Sequence, residues 1–189
     1  SESRGLGDVY KRQIEKSIPI NKKKLSYKPT EKIIADYVPN KKSNVWVVDL
    51  IITDNEAVTV QNALHQKGFD VEVSKQTHWE ISCSKNSETT LERIENTGEL
   101  YNSNKEYLSD LSGKDKTISI LIRQKEDVHC QKKFDSLTKR FKIHDLLQLK
   151  RGVVWNITIK NANFDSIFND ILDTKILHNP LSHECFRIS

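Results

Sequence analysis

The sequence predicts an α+β fold of two tandem β-α-β-α-β repeats, with antiparallel sheets packed together and helices on the outer faces. The first observation is residues 53–69, TDNEAVTVQNALHQKGF, a capped amphipathic segment between the apolar run VWVVDLII and the alternating run DVEVSKQTHWEISC. The second is that the same order of elements returns after residue 110. The third is a nearly constant spacing, because Trp79 and Trp155 are 76 positions apart and Asn102 and Asn179 are 77 apart.

Composition places the chain among soluble proteins with a modest core. It has 189 residues, of which 36% are hydrophobic and 30% are charged. No apolar run approaches the roughly 20 residues that cross a bilayer. Three cysteines without CxxC spacing favour a reducing compartment, and nothing resembles a signal peptide. Together these features predict a cytoplasmic protein.

The first 43 residues are predicted to lie outside the repeats. Residues 1–13 include SRGLGDVYKRQ, which resembles the translation of a sequencing adapter, and we interpret them as an assembly artefact in place of the native start. Residues 14–43 carry eight lysines against three acidic residues and are predicted to be a flexible Lys-rich arm, with a short helix at 30–37. The remaining residues 44–189 have a net charge of −2, which disfavours a nucleic-acid-binding face.

Residues 44–110 are predicted to be the first repeat. A strand at 45–53 leads to a helix that is capped by Thr53 or Asp54 and ends at Gly68. A second strand covers 71–83, with a break near Lys75. A weaker helix at 87–95 and a short extended segment then lead to the polar connector 109–116.

Residues 111–189 are predicted to be the second repeat. Its elements are a strand at 117–123, a longer helix at 126–141, a helical turn or hinge at 143–149, a strand at 152–159, an amphipathic helix at 164–172 and a last strand at 185–188. Each half alone is too short to bury much surface. We therefore expect the two sheets to bury their apolar faces against each other. Trp79 and Trp155 are expected in that core, or at a subunit interface if their strands are edges.

No catalytic or metal site emerges from the sequence, and no cofactor site is assigned. His183, Glu184 and Cys185 with His178 upstream, like the pair His129 and Cys130, lack the paired short spacings of a structural zinc site. There is no P-loop, no GxGxxG followed by a helix, and only six glycines. A binding or assembly role is the better default.

The stretch DNEAVTVQNALHQKGFDVEVSKQTHWEIS, residues 54–82, resembles the small PurS subunit of phosphoribosylformylglycinamidine synthase. Asn55 and Ala57 depart from the family's usual Pro and Gly. The C-terminal LHNPLSHECFRI, residues 177–188, is similar to the family's closing element, with one extra residue before its glutamate. The two matches lie in different halves, as in a duplicated PurS. The family-motif positions are Asp54, Thr59, Val60, Ala63, Leu64, Gly68, Phe69, Asn179, Pro180, Glu184 and Phe186.

The resemblance implies a non-catalytic assembly subunit of a glutamine-dependent, C–N bond-forming ligase in purine biosynthesis. In the family's reaction, formylglycinamide ribonucleotide, ATP and glutamine give formylglycinamidine ribonucleotide. The PurQ glutaminase releases ammonia, the PurL synthetase uses ATP and Mg, and PurS bridges the two. The resemblance therefore implies no cofactor of the chain's own. The expected partners are PurL-like and PurQ-like proteins, with self-association through the sheet faces and neither nucleic acid nor membrane.

Two alternatives stay open from the residues alone. A ferredoxin-like regulatory module that binds a small molecule is also built from βαβ units. A nucleic-acid module that uses the Lys-rich arm is weaker, since charge runs are usually solvated surface. An independent enzyme is least favoured by the motifs.

Overall fold

The computed structural model describes residues 34–85, 87–111, 113–160 and 164–188, except for the side chain of Phe164. Residues 1–13 and the first twenty residues of the predicted arm, 14–33, lie outside the described residues. The chain is α+β, as predicted. The strands are β1 (Ala35–Asp36), β2 (Ser43–Leu50), β3 (Val71–Cys83), β4 (Glu106–Ser109), β5 (Thr117–Gln124), β6 (Leu146–Ile159) and β7 (His183–Ile188). The helices are α1 (Asn55–Gln66), α2 (Ser87–Thr97), α3 (Val128–Asp135), which continues into a π-helical turn (Ser136–Arg140), and α4 (Phe164–Asp173).

The seven strands form one mixed sheet in the order β1-β7-β5-β6-β3-β2-β4. Only the pairing of β1 with β7 is parallel. The longest junction joins β3 to β6, continuously from Val71↔Ile159 to Ser82↔Gln148. The expectation that two separate sheets pack face to face is therefore wrong, because the two halves meet edge to edge.

Strand pairing within the two halves follows matching registers. β2 and β3 form six consecutive pairs that end at Val48↔Thr77. β5 and β6 form six that end at Ile122↔Val153. The β3–β6 junction also pairs Thr77 with Val153, residues 76 positions apart. The two halves therefore face each other across the junction at the spacing that separates the two tryptophans.

All four described helices cover the same face of the sheet, so the prediction of helices on both outer faces is wrong. One apolar cluster lies under α1 and α4, over β5 and β6. A second lies under α2 and α3, over β2, β3 and the first part of β6. Trp79 and Trp155 belong to these clusters and are 2% and 5% exposed, so both are buried, but between helices and sheet and not between two sheets as predicted. None of the described helices is long and apolar enough to cross a membrane.

Helix α1 follows from its local sequence. Asp54 accepts hydrogen bonds from the backbone N–H groups of Glu56 and Ala57 at 2.9 and 3.2 Å, so the cap is Asp54 and not Thr53. Leu64 is fully buried on the inner face. Gly68 ends the helix with φ of +92°, a conformation that costs glycine little.

Three local predictions are wrong. β3 passes through Lys75 without a break. Residues 146–149 begin β6, and the helix-like spacing of the buried Leu146 and Leu149 arises at a register shift opposite Ser82. Of the predicted helix at 30–37, residues 30–33 lie outside the described residues, and residues 34–37 contain β1 and no helix. The Tyr37 N–H donates to the Arg187 carbonyl at 2.8 Å.

Gly152→Ala should destabilise the protein, because a Cβ there would lie 2.5 Å from Leu121 Cδ1 and 3.0 Å from the Ile122 carbonyl oxygen. Overpacking of this kind costs about 1–3 kcal/mol. Urea denaturation measures the loss, with Gly113→Ala as the matched control, since that Cβ would meet nothing within 4 Å. Equal stability of the two variants would contradict the close approach of β5 to β6.

Candidate functional site

The face of the sheet that carries no described helix holds a row of buried polar side chains. Side chains alternate between the two faces along each strand, so these residues interleave with the apolar core positions. An uncompensated buried polar group is costly, and the hydrogen bonding of this row therefore needs a full account. The buried members are Gln76, His78, Glu80, Ser82, Ser119, Arg123 and Asn156.

An ion pair between Arg123 and Glu80 forms the centre of this face. Arg123 lies on β5 and Glu80 on β3, with β6 between them. Arg123 Nη2 donates to Glu80 Oε2 at 2.7 Å, and both side chains are at least nine-tenths buried. The Arg123 Cγ lies close to the place that a side chain at Gly152 would occupy. Because Gly152 has no side chain, the Arg123 side chain can pass over β6 at this position.

Glu80 also fixes the segment that precedes β2. Its carboxylate accepts hydrogen bonds from Tyr37 Oη at 3.1 Å, the Asn40 N–H at 3.0 Å and Ser43 Oγ at 2.9 Å. Burial alone would raise the pKa of Glu80. The hydrogen bonds from Asn40, Arg123 and Ser43, with the arginine charge, outweigh burial and lower the pKa to about 2. Glu80 is therefore a carboxylate throughout the physiological range.

Aromatic rings enclose the arginine. The guanidinium carbon of Arg123 lies 5.3 Å from the Tyr37 ring centroid and 5.8 Å from that of Phe186. Burial and the Glu80 charge raise the pKa of Tyr37 to about 12, so its hydroxyl keeps its proton and donates to the carboxylate. The arrangement positions charges and offers no exposed acid or base.

A second polar network crosses four strands beside the ion pair. Ser119 on β5 donates to Asn156 Oδ1 on β6. Asn156 Nδ2 donates to Gln76 Oε1 on β3 at 3.0 Å, and Gln76 Nε2 donates to Asp49 Oδ2 on β2 at 2.9 Å and to the Asp110 carbonyl at 3.1 Å. Each amide uses both its oxygen and its nitrogen, so the network is satisfied.

His78 lies between these two networks. It is fully buried, and neither ring nitrogen has a hydrogen-bond partner among the described residues. Its ring packs edge-on to Tyr37 with centroids 5.1 Å apart. Burial, together with the Arg123 charge, lowers the pKa of His78 to about 4, and the Glu80 charge only partly opposes this. The imidazole is therefore neutral at physiological pH.

An open cavity of about 470 Å³ lies beside Arg123, where β5 and β6 separate. Its lining comes from the end of β5, the first half of β6, α3 and β7. Cys130 of α3 lines it and donates its thiol to the Leu149 carbonyl at 3.3 Å. Burial and the nearby Asp127 raise the pKa of Cys130 to about 11, so the sulfur is a protonated thiol and a poor nucleophile.

The structure brings two residues of the predicted motif set to this site. Glu184 and Phe186 line the cavity from β7. Asn179 and Pro180 form the turn before β7, where Asn179 Oδ1 accepts from the Leu181 N–H at 3.0 Å. The other seven motif positions lie in or next to α1, away from the cavity. They are Asp54, Thr59, Val60, Ala63, Leu64, Gly68 and Phe69.

Sequence reasoning missed the residues that build the site. Arg123 ends the strand TISILIR, and Glu80 falls on the polar side of the alternating run HWEISC. The alternation assigns both charges to the face opposite the apolar core, and it indicates neither their burial nor their pairing. Gly152 likewise lies in a predicted strand, where a glycine often indicates close backbone approach.

The histidines and cysteines considered as zinc ligands have other surroundings. His183 Nδ1 accepts from the Asn179 N–H at 2.9 Å, and Cys185 packs against the apolar core. No group of three His, Cys, Asp or Glu residues is placed to hold a metal within the described ranges. The chain matches no protein-family model and no curated protein.

The wild type should lose folding stability as the pH falls from about 6.5 to about 4. The variant His78→Leu should lack this loss. His78 has a higher pKa in the unfolded state and takes up its proton there first as the pH falls. This protonation stabilises the unfolded state relative to the folded state. Urea unfolding of the wild type and His78→Leu across this window measures the difference. A wild type and variant with the same pH dependence would contradict the buried neutral imidazole.

Glu80→Gln provides the comparison, because the stabilising charge of Glu80 is present above about pH 4.5 and is lost as the pH falls towards 2. Its effect therefore appears in a more acidic window than that of His78. At neutral pH this variant leaves Arg123 unpaired and should cost about 3–5 kcal/mol.

Proposed function

We propose that the chain is a non-catalytic assembly subunit of phosphoribosylformylglycinamidine synthase, in which two PurS-like units are joined in tandem. The observation that carries the proposal is the matching strand registers of the two halves, six pairs in each, related by 76 positions on the second strands. Equal registers over separate elements are the expected result of a duplicated unit.

Hydrogen bonds around the third strands support the duplication. The Glu106 N–H donates to the Asn102 carbonyl at 2.8 Å, and the His183 N–H donates to the Asn179 carbonyl at the same distance. The side-chain oxygens of Asn102 and Asn179 each accept from the N–H two residues on, both at 3.0 Å. These pairs are 77 positions apart, which equals the spacing of the two asparagines.

The motif positions support the PurS resemblance through their structural roles. Asp54 caps α1, Leu64 packs inward and Gly68 takes a positive φ at the end of the helix. Thr59 Oγ1 donates to the Asn55 carbonyl at 2.9 Å, so its hydroxyl is satisfied within the helix. These positions therefore act in the beginning, the packing and the end of α1.

The end of β2 is the surface that we assign to a partner subunit. Leu50, Ile51 and Ile52 are 37%, 58% and 72% exposed, and Tyr107 and Leu108 on the edge strand β4 are 49% and 39% exposed. Exposed apolar side chains that lie near one another at the end of a sheet are typical of protein interfaces.

The second half provides an internal comparison for this surface. The Ile51 N–H donates to the Lys105 carbonyl, and the Lys125 N–H donates to the Ser182 carbonyl, both at 2.9 Å. The backbone positions that correspond to residues 50–52 are thus 124–126, which are also exposed but read Gln-Lys-Glu. The fold accepts polar residues there, so burial within the chain does not require the Leu-Ile-Ile of the first half.

Reconstitution tests the function. The purified chain, a PurL-like synthetase and a PurQ-like glutaminase from the same source should convert formylglycinamide ribonucleotide with glutamine as the nitrogen donor, and omission of the chain should abolish this rate. Free ammonia should restore product formation without the chain, because supplied ammonia needs no bridge. An unchanged glutamine-dependent rate, with no complex in sedimentation, would refute the proposal.

The triple variant Leu50→Gln, Ile51→Lys, Ile52→Glu should keep its fold and bind its partner at least about tenfold more weakly. Full burial of one such side chain is worth about 1.5–3 kcal/mol, and about 1.4 kcal/mol is a factor of ten. Sedimentation with each partner protein in turn measures the change. Leu181→Gln, at an 86% exposed leucine of the second half, is the matched control and should bind normally. Wild-type affinity in the triple variant would place the partner elsewhere.

A further inference from the structure

The cavity beside Arg123 arises from a parting of neighbouring strands. β5 and β6 pair as far as Ile122↔Val153 and no further. Beyond that point β6 continues along β3, while β5 continues along β7 as far as Gln124↔His183. The sheet therefore opens between two strands that are each held on the other side. The volume of about 470 Å³ lies in the range of small-molecule sites.

Cationic side chains predominate among the charged groups of the lining. The lining has four cationic side chains and two carboxylates. The cations are Arg123, Lys125, Lys150 and Arg151, and the carboxylates are Asp127 and Glu184. Arg123 is neutralised by Glu80, and Asp127 Oδ1 accepts the Cys130 N–H at 2.9 Å as the cap of α3. With Arg123 paired to Glu80, three cations remain against two carboxylates, so the lining carries a net charge of +1.

Lys150 and Arg151 are the cations available to a ligand. Neither forms a salt bridge with a described residue, and Arg151 rests 5.9 Å from the Trp79 ring centroid, which fixes its position. Lys125 Nζ donates to the Pro180 carbonyl at 3.3 Å. The apolar part of the lining comes from Phe134, Leu147, Leu149 and Phe186. Cations beside an apolar wall suit an organic anion.

The first half lacks this set at the corresponding positions. The strand registers relate Arg123 to Asp49 and Arg151 to Lys75. Lys75 is held by Asp54 and Glu56, whereas Arg151 has no acidic partner among the described residues. The cationic cavity is therefore a property of the second half and not of the repeated unit.

We infer that this cavity binds a small organic anion, whose phosphate or carboxylate group lies in the gap between β5 and β6, with Lys150 and Arg151 on opposite faces of the sheet beside it. The body of the anion packs on the apolar part of the lining. Charge-assisted hydrogen bonds from arginine and lysine to such oxyanions are about twice as strong as neutral ones. The inference concerns the chain alone and does not depend on the proposed function.

Calorimetric titration of the full chain tests the site with three probes, inorganic phosphate, citrate and adenosine monophosphate, each up to about 10 mM, which saturates a Kd of about 1 mM. At least one probe should bind. Tighter binding of phosphate and adenosine monophosphate identifies a phosphate group, and tighter binding of citrate identifies carboxylates. If none of the three binds, the inference is wrong.

Lys150→Gln with Arg151→Gln should weaken the bound probe by about tenfold or more, because each charged hydrogen bond contributes about 1.5–3 kcal/mol. The matched control is Lys132→Gln with Lys139→Gln, which removes the same charge from α3 and its π-helical turn outside the cavity lining. An equal loss in the control would show that net charge alone attracts the anion and would overturn the site. Lys125→Gln alone should weaken binding less, and circular dichroism verifies that each variant is folded.

Discussion

The antiparallel pairing of β3 with β6 is the constraint on which the rest of the structure depends. In this pairing Thr77 lies opposite Val153, and the two halves are related by a local two-fold axis. The same register brings Lys75 over the Trp155 ring and Arg151 over the Trp79 ring, each at 5.9 Å. Each apolar cluster takes helices and strands from both halves. Neither half therefore closes a core of its own, which is what the small size of each half leads us to expect.

The buried ion pair between Arg123 and Glu80 links two strands that are not neighbours in the sheet. Removing two charges from water is expensive, and a pair at this depth is often no more stabilising than apolar residues of similar volume. Its geometric effect is clear, however. It needs a glycine at position 152, it ties β5 to β3 across β6, and it holds Tyr37 on the sheet through the shared carboxylate. A shift of β5 by one residue would move Arg123 to the apolar face.

Local sequence patterns predict a helix or strand well where its buried residues keep a single helical or strand period throughout. Asp54, Leu64 and Gly68 specify the beginning, the inner face and the end of α1 without help from distant residues. The start of β6 was missed because a register shift places Leu146 and Leu149 inward at a helix-like spacing. Strand pairing is a different problem. The spacing of 76 between Trp79 and Trp155 is visible in the chain, but whether two sheets meet by faces or by edges depends on residues far apart in sequence. The same holds for the candidate site, whose arginine and glutamate are 43 positions apart.

If the proposed duplication is correct, covalent linkage explains why the central face is asymmetric. In a homodimer each residue appears twice, so one surface cannot carry an arginine where its copy carries an aspartate. Under the proposed duplication, Arg123 corresponds to Asp49 and Glu80 to Asn156, and the two halves use these positions differently. One ion pair and one amide network result, where a symmetric dimer would have two identical clusters around its axis. The exposed Leu-Ile-Ile of the first half and the cationic cavity of the second follow the same logic. Under the two proposals the first half contacts a protein partner and the second a small anion, which a single chain permits because a substitution in one half leaves the other unchanged.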